Sequence, residues 1–191
     1  MSADPRNTWR LKSRRRAYAN PWISVDHDEV VTPGGSDGIY GVVRFRNTAI
    51  GIVTLDAAGY TTLVGQWRYP LGRYSWEIPE GGGPKDEDVL TSARRELREE
   101  TGLSAQRWTK LLDLDLSNSV TDEVGVVYLA EELTEGTPEP EDTEELTVRR
   151  VPFAEAIAMV GRGEITDVLA VVGLLAAERA LSERGGDRRE A

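Results

Sequence analysis

The chain has 191 residues, no cysteine and a single histidine, His27. Without cysteine there are no disulfides, no thiolate zinc sites and no cysteine nucleophiles. One histidine rules out a multi-histidine metal site. A Ser-His-Asp arrangement would have to use His27, and no nucleophile-elbow sequence accompanies it. Within "VDHDEV" His27 reads as a solvated residue. Metal chemistry therefore falls to oxygen ligands and hard cations such as Mg2+ or Mn2+. No apolar run is long enough to cross a bilayer and no secretory pattern follows Met1, so no membrane partner and a cytoplasmic location are expected. The formal charge of −10 argues against a nucleic-acid partner, which calls for a basic face. The exception is "RLKSRRR", Arg10 to Arg16. It reads either as a solvated N-terminal arm or as a segment that contacts an anion or another subunit.

What is present is a series of β-branched and aromatic runs. Residues 39–45, 49–55, 60–69 and 74–78 have strand character, with a hairpin turn at "AAGY". Residues 108–116, 124–130 and 145–151 follow the same pattern. Apolar residues at helical spacing predict two helices, over 152–163 and 165–184. Residues 131–144, "EELTEGTPEPEDTE", read as a Pro-bearing acidic loop. The order of strands, one helix, more strands and then helices predicts a mixed, layered α/β fold. Before residue 47, turn signals break the chain into short strands. The expected division is an N-terminal β subdomain over 1–46, a main domain over 47–185 and a disordered polar tail over 186–191.

The densest chemistry lies in "GGGPKDEDVLTSARRELREETGL", residues 81–103. Asp86 or Asp88 can cap a helix here, and Gly102 is placed to end it in a left-handed conformation. Val89, Leu90, Ala93 and Leu97 form the apolar stripe. Glu96, Glu99 and Glu100 share a neighbouring face near the C-terminal end. Acidic side chains there meet the unfavourable end of the helix dipole and repel one another by some tenths of a kcal/mol per pair. A divalent cation would relieve this, and so would splaying the side chains into water.

The wider pattern decides between these readings. Gly81, five residues, Glu87, seven residues, Arg95-Glu96-Leu97, one residue, Glu99-Glu100, one residue and Gly102-Leu103 match the signature of the Nudix hydrolases at every defined position. Chance would produce this in roughly one chain in a million at ordinary residue frequencies. "GQWRYPLGRYSWEIPEGG" resembles the segment before the motif in ADP-ribose and nucleoside diphosphate sugar pyrophosphatases. The resemblance implies a Nudix α/β/α sandwich with a mixed sheet, and an N-terminal β subdomain that packs across a homodimer. It implies Glu96 and Glu100 as main Mg2+ ligands (Mn2+ being possible), Glu99 as a further ligand, and the backbone carbonyl of Glu80, just before Gly81, completing the site. Arg95 and Glu87 are expected to orient the carboxylates or to pair with each other. The general base is expected in the acidic loop, with Glu144 first and Glu141 and Glu145 as rivals. Arg68 is the first candidate for a phosphate contact, followed by Arg46 and Arg44, which can equally face solvent. Gly81 lets a ligand approach the backbone. Trp22 can stack on a base or belong to a core.

Three functions compete on this sequence. One is metal-dependent hydrolysis of a nucleoside diphosphate sugar such as ADP-ribose, and another is hydrolysis of other nucleotide diphosphates. The third, a ligand sensor without turnover, often loses motif carboxylates that are intact here.

Overall fold

The computed structural model describes residues 4, 6–139 and 145–187 and comprises two compact units, residues 1–47 with 115–124, and residues 48–114 with 125–191. The first is built on an antiparallel sheet of β1 (Arg10–Ala19), β2 (Ile23–Val31) and β3 (Asp37–Phe45), in that order. Asn20 makes the first turn by accepting the N–H groups of Trp22 and Ile23. Along β2 every second residue is buried, namely Ser24, Asp26, Asp28 and Val30. Buried carboxylates require partners. Arg14 grips Asp28 with two 2.7 Å bonds, Arg16 donates to Asp26 at 2.8 Å, and Arg44 lies 3.5 Å from Asp26 and 3.3 Å from Asp122. The 115–124 segment joins this unit: Asp122 accepts the N–H of Phe45 at 2.9 Å and Val120 accepts that of Val43.

These strands are nine or ten residues long, not the short ones expected from the turn signals. The basic run is part of β1 rather than a free arm. Every residue of β1 is exposed, so its sequence carries no apolar alternation to mark a strand.

The second unit contains β4 (Asn47–Leu55), β5 (Tyr60–Arg68), β6 (Arg73–Glu77), β7 (Glu80–Pro84), β8 (Ser104–Asp115), β9 (Val124–Thr134) and β10 (Thr147–Pro152), allowing for strand ends that cross the boundary. Its helices are α1 (Val89–Thr101), α2 (Phe153–Gly161) and α3 (Val168–Asp187). One sheet runs β7-β4-β9-β8, with β4 and β9 parallel, and the other runs β10-β5-β6, antiparallel. The glycine-rich segment forms strand β7, and β9 extends into the segment expected as the acidic loop.

β4 is buried on both faces, as a strand paired in parallel at the centre of a layered fold must be. Ile50 and Ile52 pack with Ala93 and Leu97 of α1 and with Ala130. On the opposite face, a Cβ added at Gly51 would come within 3.3 Å of Leu169 of α3, and one at Gly173 would press on Val53 and Val127. Helices thus cover both faces, giving the α/β/α sandwich with a mixed sheet. Each fully buried Ile or Leu in these layers stabilises the fold by about 1.5–3 kcal/mol.

Candidate active site

Helix α1 begins where Asp88, in an extended conformation, accepts the Thr91 N–H at 2.9 Å. It ends where Gly102 turns left-handed (φ 73°) and its N–H reaches the Arg98 carbonyl at 2.8 Å. A Cβ at Gly102 would also lie 2.6 Å from the Gly136 carbonyl oxygen. The Glu139 N–H donates to the Glu99 carbonyl at 2.9 Å. The described start of the acidic loop is thereby tied to the carboxylate-bearing end of α1.

Glu100 is buried at 2% exposure and accepts the Glu80 N–H at 3.0 Å, a bond that links the helix to β7. The Glu96 carboxylate lies against Gly81, where a Cβ would overlap it. Arg95 joins these groups. Its Nη2 sits 2.9 Å from Glu96 and 3.2 Å from the Gly82 carbonyl, and its Nη1 is 2.8 Å from Glu99. Burial works against the Arg95 cation, but Glu96 and Glu99 outweigh it and raise its pKa. Glu87 is exposed and accepts a hydrogen bond from Ser92. Arg95 pairs with Glu96 and Glu99 rather than with Glu87.

Arg68 is not a free cation waiting for phosphate. Its Nε and Nη2 engage Glu77 at 2.9 and 2.7 Å, and Nη2 also meets Glu80 Oε1 at 2.6 Å. Burial opposes its charge, and the Glu77 hydrogen bonds and the two carboxylates more than offset this, so its pKa is raised. Burial first, then the charges of Asp167 and Glu77, push the Glu80 carboxyl well above its ordinary range. Sequence reasoning did not find Glu77 or Asp167. They are 90 positions apart, and each has an ordinary local explanation, as a strand residue and as the acceptor of the Ala170 N–H at 2.9 Å.

Arg44, Arg46 and Trp22 belong to the first unit. There Arg44 faces Asp26 and Asp122, Arg46 donates to the Asn20 carbonyl at 3.3 Å, and Trp22 is 68% exposed, so it is no core residue within the chain. His27 is partly buried within β2. Glu145 is exposed just before β10, and Glu141 and Glu144 lie outside the described residues.

The glycine-cradled carboxylates, held by one arginine at the end of a capped helix, occupy a segment inside the match of a NUDIX domain profile to residues 45–169. The chain belongs to the Nudix family. This Nudix hydrolase also matches a nucleoside diphosphate sugar hydrolase N-terminal domain over residues 9–43. It is 42% identical over 161 residues to an ADP-ribose pyrophosphatase of Mycobacterium tuberculosis (strain ATCC 25618 / H37Rv), a match covering 81% of this chain and 75% of that protein. An ADP-ribose pyrophosphatase of Bacillus subtilis (strain 168) is 31% identical over 157 residues, covering 81% and 84%. A crystal structure of an ADP compounds hydrolase superposes with a TM-score of 0.85 over 96% of this chain and 99% of that one. At 19% identity the last match speaks for the fold alone.

Proposed function

We propose that this Nudix hydrolase cleaves the diphosphate of ADP-ribose or a related nucleoside diphosphate sugar, giving a nucleoside monophosphate and a sugar phosphate. The observation that carries the reading is the seating of Glu96 against Gly81 beside Glu99 and Glu100, in a chain similar over four-fifths of its length to two ADP-ribose pyrophosphatases. The donor set suits a hard divalent cation: all its atoms are oxygen, and the cradle at Gly81 is one that a single Cβ would fill. Glu96, Glu99 and Glu100, with the Glu80 carbonyl, would hold Mg2+, or Mn2+ in its place. When bound, the metal neutralises the diphosphate and lowers the pKa of water.

The chain's own residues do the rest. Arg95 holds Glu96 and Glu99 in place and is itself fixed by the Gly82 carbonyl. Glu100 ties the metal face to β7 through the Glu80 N–H. Glu144 takes the proton of the attacking water as the water oxygen bonds to phosphorus and the bridging P–O bond breaks. The Glu139 and Gly136 contacts with the end of α1 anchor the loop that carries Glu144. Glu87 supports the start of α1 through Ser92. Arg68 is a phosphate contact only if substrate shares it with Glu77 and Glu80.

The 1–46 subdomain is the dimerising part and the enzyme works in the cytoplasm; exposed Trp22 is open to substrate or a partner subunit, and Arg44 and Arg46 contact substrate only if it draws them from Asp26, Asp122 and the Asn20 carbonyl. Exposed Trp9, Leu11, Tyr18, Trp22 and Ile39 support the dimer, because such apolar surface favours a partner. A panel of nucleoside diphosphate sugars, nucleoside triphosphates and dinucleoside polyphosphates with Mg2+ tests the reading, scored by the phosphorylated products. The diphosphate sugars are expected to lead, and equal or faster turnover of triphosphates would overturn it. In the same assay Glu144→Gln is expected to lower kcat with KM nearly unchanged.

A further inference from the structure

Glu77, Glu80 and Asp167 each bring a carboxylate oxygen within 4.8 Å of the others. Arg68 is the guanidinium that engages Glu77 and Glu80. Ionising all three carboxylates against one guanidinium would leave two negative charges in a region where the Glu77 and Glu80 side chains are only 2% and 10% exposed. A second and independent observation concerns one atom. Glu80 Oε1 is taken by Arg68, but Glu80 Oε2 is shut off from solvent and has no hydrogen-bond partner. An orphaned buried carboxylate oxygen keeps its full desolvation cost with nothing to offset it. Asp167 adds its charge at close range and lies within hydrogen-bonding reach of the Glu80 carboxyl, so a proton or a cation must stand between the two, and it also accepts the Ala170 N–H.

We propose that Glu77, Glu80 and Asp167 form a second binding site for a hard divalent cation, built from side chains other than the glutamates of α1. Oxygens opposed across an ion stand at twice its bond length, about 4.0–4.2 Å for Mg2+ and about 4.6–5.2 Å for Ca2+. A cluster confined within 4.8 Å accommodates either spacing. A dication would cancel the two uncompensated charges and give Glu80 Oε2 its missing partner. It would also tie β6, β7 and the start of α3 together, and Arg68 would be held as part of the same assembly.

Counting bound Mn2+ by the loss of its free electron paramagnetic resonance signal tests this without reference to hydrolysis. Wild type is compared with Asp167→Asn, whose amide oxygen still serves the Ala170 N–H. The same substitution is then made in a Glu96→Gln/Glu100→Gln background that disables the α1 site. The number of bound ions is expected to fall by about one from wild type to Asp167→Asn. The double variant should keep about one ion, which the triple variant loses. Equal counts in wild type and Asp167→Asn would overturn the second site, as would a double variant that binds no Mn2+ at millimolar concentration. The latter result would mean that Glu80 and Asp167 are bridged by a proton. Failure of the proposed hydrolysis would appear separately, in the product assay.

Discussion

Two acidic clusters in this protein have opposite balances. In the N-terminal sheet, buried Asp26 and Asp28 face Arg14, Arg16 and Arg44, and the arginine hydrogen bonds hold both carboxyls below the usual range. In the second unit, Arg68 and Arg95 are shared by Glu77, Glu80, Glu96 and Glu99, while Glu100 and Asp167 take backbone N–H groups. Buried acids matched by arginines are part of the architecture, whereas the acids of the second unit are the ones that the proposed function gives to a cation from outside. Burial alone does not separate the two, since Asp26 and Glu100 are equally hidden.

The sharpest way to break this comparison is Glu100→Gln. The amide oxygen can still accept the Glu80 N–H, and one like-charge repulsion on α1 is removed, so folding is expected to be kept. Turnover is expected to fall by about three orders of magnitude or more, as removal of a metal ligand implies. Circular dichroism and steady-state kinetics on one preparation check both halves, and near wild-type turnover would take Glu100 out of the metal site. Leu97→Ala, one turn earlier on the same helix, should do the reverse. Leu97 is fully buried against Ile50 and Ile52, so about 2–5 kcal/mol of stability should be lost in urea unfolding. Turnover per folded molecule should survive at low temperature.

Arg95→Lys sharpens the picture on the surplus side. A lysine keeps the charge but cannot span Glu96, Glu99 and the Gly82 carbonyl together. Metal affinity or activity is expected to drop about 10–100-fold, with the melting temperature little changed. The smallest effect belongs to the matched side. Because Arg14 lowers the Asp28 pKa in the folded state, the stability from this pair is present above the ordinary carboxylate range and is lost as pH falls through the depressed value. Asp28→Asn should therefore melt below wild type at pH 7, and the gap should close under strongly acidic conditions. A gap independent of pH would show that the pair contributes through packing rather than charge.

The legible parts of the molecule are those whose causes are local. Helix α1 could be read with its cap, its apolar stripe and its stop because each signal lies within a few residues of its effect. β4 was legible as a run of buried aliphatics, and the Asp56 to Tyr60 turn as a hairpin with Gly59 at φ 81°. β1 was not, because a strand exposed on both faces has no period to detect. The partners of Arg68 were also out of reach, as was the Gly82 carbonyl that fixes Arg95. Glu77, Gly82 and Asp167 meet these residues only once β5, β6, β7 and the start of α3 have come together, and no spacing in the sequence states that.

The glycine at the Glu96 cradle has a consequence for selection. Gly102 is left-handed and crowded, so a side chain there strains the backbone and collides with Gly136. Gly81 is not among the glycines with positive φ; what it supplies is room for a carboxylate. In a library of random variants, a screen for soluble protein would discard alanine at 102. The same screen would pass alanine at 81, and only a screen for catalysis would find it. Populations selected first for expression would therefore accumulate well-folded, inactive copies broken at a residue that no stability measurement singles out.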